Sequence, residues 1–330
     1  MSIRVLQPGL LDTIQDTGRY GYQHLGINPG GAMDRIAVRA VNALVGNTSA
    51  TGVLEMHFPA SSFLFESGAI IALSGADFTA TIDGRPLPLN KPILVAAHAL
   101  LHFKGPVTGA RCYMGVRGGF DIEPWMGSYS THLKAEAGGF RGRALQKNDV
   151  LPLKKKASYA PLLEHKDFKV LPWMIYTDNL YHTSQLRITA GSEYTLLSDA
   201  SQLVTHTFDC SRHCDRMGYR LEGVALKHYK EGELLSSGVT RGTIQLMPDG
   251  QMIILTADHQ TTGGYPRIAH VITADLPSLA QHRSYQQINF LLVSVNEAIK
   301  LHYEQVQRLQ LLENACNLQL EKWLQTNGLY

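Results

Sequence analysis

The chain of 330 residues carries a formal net charge of +2, with 44% hydrophobic and 18% charged residues, which is apolar material for two ordinary cores of about 150 residues each. So small a charge argues against a nucleic-acid binder, and the one dense basic run, Lys154-Lys155-Lys156, also fits a solvated linker. No stretch approaches about 18 uninterrupted apolar residues and the amino terminus lacks a signal pattern, while the cysteines, Cys112, Cys210, Cys214 and Cys316, do not make a disulfide framework; a soluble, cytoplasmic protein with reduced thiols and no membrane contact is expected.

In chain order, the first clear element is helical: "MDRIAVRAVNALVGN" offers Ile36, Val38, Ala40, Val41, Leu44 and Val45 as an apolar face and Gly46-Asn47 as a stop. Short strand-like runs follow, "GAIIALSGADFTATIDG", "PILVAAHALLHF" and "ARCYMGVRGG", each bounded by Gly, Pro, Asp or Asn. The lysines after Leu153 and the segment up to Trp173 mark a boundary, placed around residues 155 to 167, with a strand pattern resuming near Lys169. Beyond it come "QLRITA", "TIQLMPDGQMIILTA" and "INFLLVSV". Asp83-Gly84 and Asp249-Gly250 are hairpin dipeptides, because Gly accepts positive φ without a Cβ clash. The fold class is mainly β, built as barrels or sandwiches.

The carboxy terminus differs. Ser294 with Glu297 has capping-box spacing, and Ile299, Tyr303, Val306, Leu309, Leu312, Cys316, Leu320 and Trp323 recur at three- and four-residue steps, giving one long helix that ends near Gly328. Leu301, Leu311, Leu318 and Leu324 lie off that stripe. The helix either packs across its own domain or also meets a partner, which makes it a candidate contact for a homo-oligomer. Three segments result: a first domain over 1–160, a second over 161–293 and the helix over 294–328. A faint echo, "GYQHLG" at Gly21–Gly26 and "GYRLEG" at Gly218–Gly223, fits two related halves.

Four Gly-Gly pairs occur, at Gly30-Gly31, Gly118-Gly119, Gly138-Gly139 and Gly263-Gly264. Such pairs either make a tight turn or let successive N–H groups converge on an anion. Two have polar company: "QHLGINPGGAMD" sets His24, Asn28 and Asp34 around Gly30-Gly31, and "TADHQTTGGYPR" sets Asp258, His259, Gln260, Thr261, Thr262 and Tyr265 around Gly263-Gly264. The latter closes an apolar run, where polar crowding signals a ligand or a braced barrel end. His259 is expected to face away from Asp258 and Gln260, as strand neighbours do. In "CDRMGYRLEG", Arg216, Arg220 and Glu222 fall at even spacing and would share one strand face, turned to solvent or to a ligand. Gln245, in "TIQLM", is a further polar candidate.

His206, Cys210, His213 and Cys214 invite a zinc reading, but the His-x3-Cys-x3-Cys spacing is not that of a structural zinc site, and no metal is expected. There is no Gly-x4-Gly-Lys-Ser/Thr phosphate loop, no strand-linked Gly-x-Gly-x-x-Gly and no Gly-x-Ser-x-Gly elbow. An enzyme built this way polarises its substrate without a covalent nucleophile.

Together, "PGLLDTIQDTGRYGYQHLGINPGGAMD", "AVNALVGN", "IALSGADF", "DRMGYRLEG" and "GTIQLMPDGQMIILTADHQTTGGYPRIAHVITADLPSLAQ" resemble the family comprising the C subunit of bacterial ATP-dependent 5-oxoprolinase, the protein once called allophanate hydrolase subunit 2, and the carboxyltransferase part of urea carboxylase. The resemblance runs from about Ile3 to Gln281. It implies two cyclophilin-like β-barrels, and partners resembling the A and B subunits, with which 5-oxoproline is opened to glutamate at the expense of ATP, with Mg handled by the complex. "RHC" before Asp215, "LSSGV" at Leu235–Val239 and the length of the last helix depart from the family pattern.

A lactam activated by phosphorylation of its carbonyl oxygen needs cations, N–H donors and a carboxylate. The candidate roles are Asp258 and Gln260 for substrate orientation, Arg216 and Arg220 for anionic charge, Glu222 as a supporting carboxylate, and His24 and Asp34 as the matching amino-terminal group. Asn28, Gly30, Gly31, Gln245, Thr261, Thr262, Gly263, Gly264 and Tyr265 are the substrate-binding candidates. Urea carboxylation makes a similar demand, so a biotin-dependent carboxyltransferase is the alternative, with biotin arriving on another protein because this chain has no Met-Lys-Met carrier sequence. A regulatory partner of a sensor-kinase inhibitor is a further one.

Overall fold

The computed structural model describes residues 1–154, 159–163, 167–181, 185–228 and 234–329. It is mostly β, with several sheets, one of them a nearly closed barrel, and a long C-terminal helix. Two compact units emerge: Met1–Gly18 with Asp34–Asp178 and Gln307–Tyr330, and Arg19–Met33 with Asn179–Val306. Part of the expected boundary at 155 to 167, including Lys155 and Lys156, lies outside the described residues.

In the first unit, two six-stranded sheets enclose one core. One sheet orders its strands 150–152, 2–7, 62–65, 100–103, 80–82 and 85–86; the other orders them 168–170, 92–95, 69–77, 108–116, 53–57 and 13–15. Ile3, Val5, Phe63 and Phe65 from one meet Leu54, Met56, Ile71, Leu73 and Met114 from the other. Strand Ala69–Asp77 is buried on both faces, because its back carries the helix Arg35–Val45. The helix begins where Asp34 accepts the Ala37 amide at 3.0 Å and stops where Gly46 turns left-handed at φ 69°. Asp83 and Gly84, at φ 47° and 81°, make the expected two-residue hairpin between Ala80–Ile82 and Arg85–Pro86.

In the second unit, the eight-stranded sheet runs Gln287–Ile288, Phe208–Cys210, Gly218–Glu222, Met252–Leu255, Thr243–Leu246, Arg267–Val271, Leu186–Ala190 and Phe290–Leu292. Its two edge strands flank Asn289, so the sheet curls until its edges nearly meet around Ile188, Phe208, Tyr219, Ile244, Ile254 and Phe290. The echo between the two Gly-Tyr motifs is not structural. Gln23–Leu25 is an exposed single turn, whereas Gly218–Glu222 is a strand.

The long helix spans Val295–Thr326, with Ser294 Oγ accepting the Glu297 amide at 3.2 Å as the spacing predicts. Its buried stripe differs from the expected one. Leu309, Glu313, Cys316, Leu320 and Leu324 are buried, while Ile299 and Tyr303 are exposed. Glu313 joins the stripe because Arg39 binds it bidentately at 2.6 and 2.8 Å. Leu320 packs where a Cβ on Gly46 would stand, 2.3 Å from its Cδ2. No helix among the described residues is long and apolar enough to cross a membrane.

Candidate functional site

The second unit brings the amino-terminal loop Arg19–Met33 onto the segments before and after two barrel strands. Arg216 precedes strand Gly218–Glu222, and Asp258 follows strand Met252–Leu255. The strands pair antiparallel, and the pairing continues past their ends: Thr256 N donates to Met217 O at 3.1 Å and Asp258 N to Arg216 O at 2.7 Å. This register puts the two side chains face to face. Arg216 Nε and Nη2 reach Asp258 Oδ2 and Oδ1 at 2.8 and 2.9 Å, a bidentate pair with side chains 4% and 17% exposed.

The same guanidinium donates through Nη2 to Gly31 O at 2.7 Å, and Asn28 Nδ2 donates to Asp258 O at 3.0 Å. Arg241 adds bonds to Ala32 O, at 3.0 Å, and to Met33 O. Gly30, at φ 59°, faces this clamp: a Cβ there would lie 3.1 Å from Arg19 Nη1, 3.7 Å from Asn28 Oδ1 and 3.8 Å from Asp258 Oδ1. A side chain would be strained by the backbone and would press on Arg19 Nη1, meeting Asp258 only in ordinary contact.

Gln245 and Gly263 form a second polar group in the same unit. Gln245 sits in strand Thr243–Leu246 and is 1% exposed. A Cβ on Gly263 would stand 2.6 Å from Gln245 Nε2 and 3.2 Å from Gln260 Nε2, so the glycine makes room for two amide groups. The two buried amides are incompletely bonded: the acceptor Asn28 Oδ1 and the donor Gln245 Nε2 each lack a hydrogen-bond partner. Buried polar atoms are normally met by a protein, water or ligand partner, so both of these are open to one.

Several expected placements need correction. Arg216 does not share a strand face with Arg220 and Glu222. It lies in a bend that Asp215 Oδ1 forms by accepting the Met217 and Gly218 amides at 2.7 and 3.0 Å, while Arg220 and Glu222 point outward from the strand. Gly263-Gly264 is not a turn: Thr262–Gly263 is a short strand paired with Ser237–Gly238, and neither glycine has positive φ. The strand-alternation argument for His259 fails, because the strand stops at Leu255. The ring is buried and its Nδ1 bonds Gln260 O at 2.5 Å. Burial pushes the imidazole below its ordinary 6.5, against the effect of that carbonyl.

Asp34 belongs to the first unit, where it caps a helix and its amide donates to Tyr113 Oη at 2.8 Å. His24, Gln260, Thr262 and Tyr265 are exposed, Thr261 and Gly264 half-buried. The structure thus gathers Asn28, Gly30, Gly31, Arg216 and Asp258 in one bonded cluster and Gln245, Gln260 and Gly263 in another. It leaves Arg220, Glu222, His24 and Asp34 outside both. Arg19 and Arg241 are not among the sequence candidates: Arg19 lies inside a motif stretch and Arg241 immediately before one, but each is a single basic residue with no pattern that marks it. Among the described residues, no group of three or more His, Cys, Asp or Glu side chains is placed to hold a metal.

Comparison with known proteins agrees with the motif resemblance. Over 305 residues the chain is 38% identical to the 5-oxoprolinase C subunit of Escherichia coli, covering 92% of this chain and 95% of that one. It is 35% identical over 297 residues to the 5-oxoprolinase C subunit of Haemophilus influenzae, covering 88% and 90%. The crystal structure of the K. lactis urea amidolyase is similar with a TM-score of 0.85 and 27% identity over 94% of this chain, which spans only 20% of that protein. A family described as carboxyltransferase domain, subdomain A and B, matches residues 25–292. The chain therefore belongs to that carboxyltransferase-domain family, together with the 5-oxoprolinase C subunits that it matches nearly end to end.

Proposed function

We propose that this chain is the C subunit of an ATP-dependent 5-oxoprolinase, which works with A-like and B-like partner chains to open 5-oxoproline to glutamate in the cytoplasm. The observation that carries this reading is the match in length. At 38% identity the chain covers 95% of the E. coli 5-oxoprolinase C subunit, whereas it covers a fifth of the urea amidolyase structure at 27%.

The site supports an amide substrate. A lactam presents one carbonyl acceptor and one N–H donor, and Gln245 Nε2 with Asn28 Oδ1 are a buried donor and a buried acceptor left without partners. In this reading, Gln245 donates to the lactam oxygen as charge develops on it, and Asn28 accepts from the lactam nitrogen. Both oxygens of Asp258 are engaged by Arg216, so Asp258 is an orienting carboxylate and not the group that takes a proton. Arg216 fixes the Gly30-Gly31 loop and supplies positive charge beside it. ATP and Mg are assigned to the complex as a whole, and this chain carries no biotin.

Both units are read as cyclophilin-like barrels. Leu311 and Leu318, 70% and 66% exposed, are the helix positions through which copies would associate. The second reading, carboxyl transfer to urea, draws on the TM-score of 0.85 with the urea amidolyase structure. Co-expression with A-like and B-like chains and assay of glutamate from 5-oxoproline with ATP separates the two. A stable complex that releases no glutamate rejects the first, and a biotinylated, avidin-binding partner supports the second.

A further inference from the structure

The Cys210-x3-Cys214 pair is absorbed by neither the amide site nor a metal. Cys210 ends strand Phe208–Cys210 and pairs with Leu221. The chain then turns tightly: Ser211 N donates to Arg220 O at 2.9 Å, and Ser211 Oγ accepts the His213 amide at 3.0 Å. Cys214 comes back beside the same strand, its Sγ 3.5 Å from Arg220 O. The two cysteines thus flank two consecutive residues of one neighbouring strand, near enough for each thiol to act on the other's proton. All four cysteines are free, and Cys214 alone is partly exposed; Cys112, Cys210 and Cys316 are buried.

We propose that Cys214 and Cys210 form a thiol–disulfide exchange site for low-molecular-weight disulfides, with Cys214 the attacking sulfur and Cys210 the resolving one. The Cys214 thiolate, its proton lost to water, attacks one sulfur of the small disulfide. The S–S bond breaks, and the expelled thiolate takes up a proton. Cys210 then gives its own proton to the second departing thiolate as it attacks Cys214 Sγ, closing an intrachain disulfide. Two protein thiols are oxidised and one small disulfide is reduced to two thiols.

The local chemistry favours that order. The proton of the Cys210 thiol holds Cys214 below the ordinary thiol range, against the effect of burial, and the same pairing together with burial raises Cys210. Burial raises Cys316 to about 11 and Cys112 higher still, so both are poor competitors. A pair of this kind stays reduced in a reducing compartment and closes under oxidative load.

The full-length chain is incubated folded with glutathione disulfide, quenched with an alkylating agent at intervals, and digested without reduction for mass spectrometry. The expected result is a transient glutathione adduct on Cys214, followed by loss of two alkylatable thiols and a Cys210–Cys214 linked peptide. In Cys210→Ser the adduct on Cys214 persists. Should that variant fail to fold, the wild-type time course decides alone. Folded protein in which Cys214 stays unmodified, or whose Cys214 adduct never passes to Cys210, overturns the proposal.

Discussion

Replacing Gln245 with methionine separates a structural from a chemical role for its amide. The side chain is 1% exposed and Nε2 has no partner, and a buried unsatisfied donor costs about 1–3 kcal/mol. Methionine has the same number of side-chain atoms before the terminus and keeps most of the packing while removing that donor. Loss of any bond to Oε1 offsets about 0.5–1.5 kcal/mol, so Gln245→Met should leave the fold unchanged or up to about 2 kcal/mol more stable. Activity should move the other way. Removing a donor aimed at a developing oxyanion typically lowers kcat by about 100- to 1000-fold. The assays are urea denaturation of the purified chain and ATP-dependent glutamate release by the reconstituted complex. A variant that is clearly destabilised yet turns over normally per folded molecule would refute the assignment.

Three further outcomes follow from the same geometry. Asp258→Ala takes the bidentate carboxylate from the Arg216 guanidinium, 4% exposed, and should destabilise by about 3–5 kcal/mol, more than Arg216→Met, which leaves a carboxylate that already reaches solvent at 17% exposure; denaturation midpoints read both. Gly263→Ala needs no change of φ but puts a Cβ 2.6 Å from Gln245 Nε2, so it should cost about 1 kcal/mol or less in stability while lowering activity, because the flexible amide swings aside. His259, His270 and His282 are all held below their ordinary 6.5, burial being the first cause in each. At these three sites the unfolded chain takes up protons before the folded one, and Asp12, raised to about 6 by burial, offsets only part of that below pH 6. Stability is fully present above pH 6.5 and falls as the pH drops below it, and a midpoint series across that range that rises or stays flat would contradict the burial.

What could be read in advance was local. Gly46 ends the first helix, Asp83-Gly84 makes a hairpin and Ser294 opens the last helix, because each acts on residues within one turn of itself; the cap role of Asp34, read as a site residue, was missed. The site's polar letters were also visible, since Asn28, Gly30, Gly31, Arg216, Asp258, Gln245 and Gly263 all stand out as polar or glycine positions beside apolar runs. Their arrangement was not. Even spacing set Arg216 beside Arg220, but an Asp215 turn takes Arg216 out of the strand. Paired glycines at 263–264 suggested a turn, yet the requirement there is space for Gln245. Glu313 and Arg39 stand 274 positions apart, so no local period could show that a charged residue belongs in the helix's buried stripe.

The central claim, that this chain is needed to open a lactam, is tested most directly by measuring 5-oxoproline in cells that lack it. 5-Oxoproline should accumulate, the wild-type chain should clear it, and Gln245→Met should not, although it is folded and bound to its partners. Unchanged 5-oxoproline in the deletion, or full clearance by Gln245→Met, would contradict it.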